Sequence, residues 1–108
     1  MSLYTFPNHV NGDTFDGVQF STTVNGSPLD LTSASIVMLV EDLNTNIEFS
    51  TTNGKLSIID PSASGIFEFN KQVVGFNSYG SHNYEITFYL PNGDIKTYIS
   101  GTWNIIRS

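Results

Sequence analysis

Hydrophobic and polar residues alternate in short runs along this chain, which is the pattern of half-buried β-strands. Between Phe15 and Val24, Val18, Phe20 and Val24 fall on one face, and Gln19, Ser21 and Thr23 on the other. Leu29 and Leu31 bracket Asp30, Ile47 and Phe49 bracket Glu48, and Phe67 and Phe69 flank Glu68. Leu56 and Ile58 follow a turn at Asn53-Gly54, and Tyr84, Ile86, Phe88 and Leu90 share one face of a longer run. Ser35 to Asp42 is apolar on both faces. Ile36, Leu39, Val40 and Leu43 would also align at helical spacing, but the run is short, partly β-branched and closed by Asn44-Thr45-Asn46. A central strand is therefore expected there. Ile95 to Ile106 reads as a last strand or strand pair. Val73 to His82 is the longest irregular stretch, with room for a single helical turn.

Turn chemistry separates these runs. Asn-Gly occurs at residues 11–12, 25–26, 53–54 and 92–93, and this dipeptide supplies the positive φ that tight hairpins need. Gly93 is expected to take that role in the connection Pro91-Asn92-Gly93-Asp94. About seven to eight short strands with such spacing imply an all-β fold, an antiparallel immunoglobulin-like β-sandwich. A small β-barrel is the second architecture. Residues 1–12 stand apart as an N-terminal extended arm, leaving 13–108 as the sandwich domain.

Composition narrows the function more than the fold. The 108 residues are 39% hydrophobic and 13% aromatic, so the chain is expected to form one domain with a thin core. Ten acidic against four basic residues give a net charge of −6. That balance argues against nucleic acid, whose phosphates need a basic surface, and against an anionic membrane. Without cysteine there is no disulfide, thiolate nucleophile or sulfur-ligated zinc. The opening Met1-Ser2-Leu3-Tyr4-Thr5-Phe6-Pro7 lacks the basic and apolar regions of a signal peptide, so general secretion is not expected.

Candidate chemistry is sparse. His9 and His82 both fall outside clear strands, and no Gly-x-Ser-x-Gly elbow accompanies the many serines. His82 reads as a solvated loop residue. Asp13 and Asp16, set among glycines, could chelate calcium but lack the ligand ladder of an EF-hand loop, so backbone hydrogen bonds at a turn are the plainer role. An enzyme would rest on these four residues alone. No catalytic residue, metal or cofactor is expected.

Among the aromatics, Trp103 shares parity with Ile99 and Ile105 and belongs with the core, as does Phe20. Tyr84 leads a strand after a glycine-containing loop, a setting like the tyrosine corner of Greek-key sandwiches. Tyr79, Tyr89 and Tyr98 remain as possible surface aromatics, for a protein partner or for sugar rings. Tyr4, Phe6 and Val10 in the arm cannot form a core alone. They either fold back on their own domain or add a strand to a neighbouring subunit.

Several of these segments, taken in order, resemble a known family. Gly12-Asp13-Thr14-Phe15-Asp16-Gly17-Val18-Gln19-Phe20, then Val24-Asn25-Gly26-Ser27-Pro28-Leu29-Asp30-Leu31-Thr32, then Ala34-Ser35-Ile36, look like the opening of the N-terminal domain of phage baseplate upper proteins. Further similarity lies in Gly54-Lys55-Leu56, in Asp60 with Gly65-Ile66-Phe67, in Tyr84-Glu85-Ile86, and in Gly93-Asp94 leading to Lys96-Thr97-Tyr98 and Gly101. The resemblance spans roughly residues 10–106. It implies an immunoglobulin-like sandwich working in a virion, through assembly contacts with other virion proteins and as a homo-oligomer. Members of that family are often longer, with further domains. A chain ending just after the sandwich therefore suggests a small baseplate or tail subunit, with a head-decoration or fibre-attachment subunit, or a glycan-binding module, as alternatives.

Overall fold

The structure is a computed structural model in which residues 2–107 are described; Met1 and Ser108, the outer limits of the expected arm and domain, lie outside the described residues. Twelve strands follow one another: β1 Ser2–Val10, β2 Thr14–Phe15, β3 Val18–Ser21, β4 Thr23–Val24, β5 Ser27–Pro28, β6 Ser35–Asp42, β7 Thr45–Ser50, β8 Leu56–Ile58, β9 Ile66–Phe69, β10 Gln72–Val73, β11 Gly80–Tyr89 and β12 Ile95–Ile106. Five of them form one sheet in the order β1-β12-β11-β6-β7, and three form a second in the order β3-β9-β8. Two short ladders, β10-β2 and β4-β5, complete the fold. Every pairing is antiparallel except that of β1 with β12.

The two larger sheets meet through aromatic side chains. Phe20 of β3 lies 5.9 Å from Phe6 of β1, Phe69 of β9 lies 5.5 Å from Trp103 of β12, and Phe67 lies 5.6 Å from Phe88. Burial alternates where strands are long, even in β6, whose sequence is apolar on both faces. In β6, Ile36, Met38, Val40 and Asp42 are buried while Leu39 and Glu41 face out. In β11, Tyr84, Ile86 and Phe88 point inward.

Two expectations differ in detail, and the choice between a last strand and a strand pair is decided. The run from Phe15 to Val24 is divided into β2, β3 and β4. At Gly17, φ is +94° and a Cβ would approach the Phe69 carbonyl oxygen to 2.7 Å, so the chain kinks where only glycine fits. Residues 95–106 are one strand, with a bulge between Thr97 and Ile99 rather than a break. The helical turn anticipated between Val73 and His82 is absent there. A 3-10 turn sits instead at Ser62–Ser64, closed by Gly65 in the left-handed region.

Candidate functional site

Of the two roles open to the N-terminal arm, the structure shows the first: it folds back as a strand of its own domain. From Ser2 opposite Ile99 to Phe6 opposite Trp103, and again at His9 and Val10, β1 pairs in parallel with β12. Phe6 is 1% exposed and stacks on Trp103, with centroids 4.4 Å apart and planes 26° from parallel. Tyr4 meets Phe6 and Phe20 edge-on, both at 5.1 Å, and Val10 is only half-buried. The register shifts between Phe6 and His9, across Pro7-Asn8. That shift turns His9 inward at 5% exposure, where Nε2 meets the Val74 carbonyl at 3.1 Å. Asn11 then fastens the segment to the chain crossing it: its Oδ1 accepts from the Phe76 amide at 2.7 Å and its Nδ2 donates to the Phe76 carbonyl at 3.0 Å.

Tyr84 completes the docking of β1. Its hydroxyl donates to the Tyr4 carbonyl across 80 residues of sequence. In a tyrosine corner the hydroxyl returns to backbone a few residues upstream; here it reaches a different strand. Burial, and secondarily the neighbouring Tyr4, hold the Tyr84 phenol well above the usual tyrosine range. Gly101, opposite both Tyr84 and Tyr4, makes the approach possible. A Cβ there would overlap the Tyr4 carbonyl and come within 3.1 Å of the Tyr84 ring.

Trp103 is fully buried among Phe6, Phe15, Phe49, Phe69, Phe76 and His9. Its indole N–H has no hydrogen-bond partner among the described residues, and neither does the buried Thr22 hydroxyl. Phe20 is 8% exposed and stacks on Phe67 at 5.0 Å. Gly93 has φ +94°, with its amide donating to Leu90, as its hairpin requires.

His82 is not a solvated loop residue. It lies in β11, 5% exposed and stacked on Phe76 at 4.7 Å. Its Nδ1 sits 2.6 Å from the Glu41 carbonyl and its Nε2 3.0 Å from the Ser78 carbonyl. Beside it, the fully buried Asp42 accepts from the Asn77 amide at 2.8 Å and the Ser78 hydroxyl at 3.2 Å. This Asp42–Ser78–His82 group, missed in the sequence, ties the loop 74–79 to the end of β6. The imidazole meets the carbonyl of Ser78 and not its hydroxyl, so the three side chains are not arranged as a nucleophile relay. Asp13 and Asp16 are exposed, and their carboxylates make no hydrogen bond among the described residues. No group of three His, Asp or Glu side chains that could hold a metal occurs among the described residues.

The remaining candidate surfaces are open. Tyr79 and Tyr89, half-exposed, sit at opposite ends of β11, with Arg107 4.4 Å over the Tyr79 ring. Tyr98 packs on Phe88 at 5.6 Å. These three rings do not line up as one platform. A shallow groove of about 710 Å³ crosses the outer face of the large sheet, lined by Leu3, Leu39, Glu41, Asn46, Glu85 and Thr102 among others. A second, of about 410 Å³, lies between the start of β1 and the β3–β4 segment and has no charged lining residue. Leu3, Leu43, Val73 and Ile95 are more than 60% exposed. Comparison of the chain with family models, curated proteins and solved structures yields no match.

Proposed function

We propose that this protein is a non-enzymatic phage virion subunit with an immunoglobulin-like sandwich, acting through protein–protein contacts in a baseplate or tail. The fold part rests on strand order. The order β12-β11-β6-β7 parallels the G-F-C-C′ order of a variable-type sandwich and β3-β9-β8 the B-E-D order opposite it, with β1 added as an edge strand parallel to β12. Residence in a virion rests on the resemblance of residues 10–106 to baseplate upper proteins.

The observation that carries the assembly reading is the surface. Leu3 at 82%, Leu43 at 70%, Val73 at 68% and Ile95 at 64% exposure combine with sheet edges that carry almost no lysine. Edges with so few charged residues are what partners cover. Leu43 also holds φ +56°, an unfavourable conformation for a branched side chain, at the tip of the β6–β7 hairpin. A glycan-binding module is favoured less, since the exposed tyrosines are dispersed and sugar rings want an aromatic platform.

Light scattering behind size exclusion tests the reading. The intact chain is expected to form a defined oligomer, and Leu43→Lys or Ile95→Lys to weaken it without lowering the melting temperature. A monomer at every concentration that also binds no virion protein would overturn it. Removing residues 1–12 is not a usable probe, because it also removes Phe6 from the core.

A further inference from the structure

We infer that Asn25 is the site at which this folded protein deamidates, through a succinimide formed with Gly26, while its other three Asn-Gly steps are protected. The reaction needs two free groups. The backbone nitrogen of the glycine attacks Cγ of the asparagine side chain, losing its proton, and the side-chain amide leaves as ammonia. Water then opens the five-membered imide at either carbonyl, giving aspartate or isoaspartate. No oxidant or enzyme is required, and the product carries one more negative charge.

The fold withholds one or both groups at three of the four steps. At Asn11 the side-chain amide is held on both sides by the Phe76 backbone, and the Gly12 amide donates to the Val74 carbonyl at 2.9 Å. At Asn53, Oδ1 accepts from the Ser50 and Lys55 amides and Nδ2 donates to the Glu48 carbonyl. At Asn92, Oδ1 accepts from the Asp94 amide at 2.9 Å, and the Gly93 amide donates to the Leu90 carbonyl. Asn25 differs on both counts. Its side chain makes no hydrogen bond among the described residues, and the Gly26 amide donates to no backbone acceptor outside the ladder. Both residues are exposed, with φ of +54° and +81°, at the tip of a hairpin whose strands β4 and β5 share only two residue pairs. So short a ladder opens readily, giving Asn25 the torsional freedom that ring closure needs.

The test is peptide mapping by mass spectrometry of the intact folded chain held in mildly alkaline buffer, following all four Asn-Gly peptides, with a parallel sample in denaturant. In the folded chain the peptide containing Asn25 should convert faster than the other three by about tenfold or more, the factor expected when release of the hydrogen-bonded sites needs local opening. In denaturant the four rates should converge, and an Asn25→Gln variant should lose the fast product. The inference is overturned if Asn11, Asn53 or Asn92 keeps pace with Asn25 in the folded chain. It is equally overturned if folding slows Asn25 as much as the rest.

Discussion

The hydroxyl of Tyr84 donates to the main-chain carbonyl of Tyr4, so a side chain from the middle of the large sheet holds down its edge strand. Replacing Tyr84 by Phe keeps the ring and removes the donor. The expected loss is about 0.5–1.5 kcal/mol of stability, the net worth of one such bond, measured by denaturant unfolding. The variant also changes the alkaline limb. Because the folded state raises the Tyr84 phenol, its contribution is complete below the unfolded value of about 10 and is lost as pH rises above it. Tyr84→Phe should therefore lose less stability than the parent above that pH. Parallel declines would contradict the buried donor.

Gly101 is the second half of the same device. Adding a single methyl, as in Gly101→Ala, places a carbon inside the Tyr4 carbonyl, so β1 has to move away from β12. A loss of roughly 2–4 kcal/mol is expected, in the range of overpacked or strained sites. A variant as stable as the parent would mean that β1 does not lie where the pairing puts it.

Trp103 separates size from polarity. Trp103→Ala should cost about 3–5 kcal/mol, and Phe20→Ala a similar amount, as buried aromatics do. Trp103→Phe leaves a smaller cavity and removes an indole N–H that has no partner among the described residues. Its cost should be well under that of the alanine variant, because an unmet buried donor is itself unfavourable by about 1–3 kcal/mol. Calorimetric or denaturant unfolding of the pair reads the difference.

His82 should behave as a structural group. Both ring nitrogens face carbonyl oxygens, which only accept, and Phe76 covers the ring. His82→Phe preserves the stack and removes the ring N–H that faces the Glu41 or Ser78 carbonyl. A loss of about 1–3 kcal/mol is expected, with faster amide exchange in the loop 74–79.

Much of the all-β fold is legible in the sequence wherever a strand is long enough to show its alternation. Tyr84 to Phe88, and Trp103 with Ile99 and Ile105, face as their spacing implies. What escaped depends on contacts between distant residues. In β1, the shift after Phe6 turns His9 inward in place of Val10, so period-two reasoning stops at Pro7. The need for glycine at position 101 comes from Tyr4, and nothing local to Ser100-Gly101-Thr102 signals it. His82 looked solvated because its acceptors, the carbonyls of Glu41 and Ser78, are backbone atoms that no motif reports. The exposure of Leu43 and Ile95, on which the proposed assembly rests, is hidden inside strand-and-turn patterns that account for them as fold.

Whether β1 belongs to its own domain decides where the proposed assembly contacts would lie, and hydrogen exchange measured by mass spectrometry on the intact chain answers it. Amides of β1 that face β12 should be protected on the timescale of the β11–β12 ladder, as part of one cooperative unit. Complete exchange of residues 2–10 at the earliest times, with β11 still protected, would contradict the account and return Tyr4, Phe6 and Val10 to the role of a free arm.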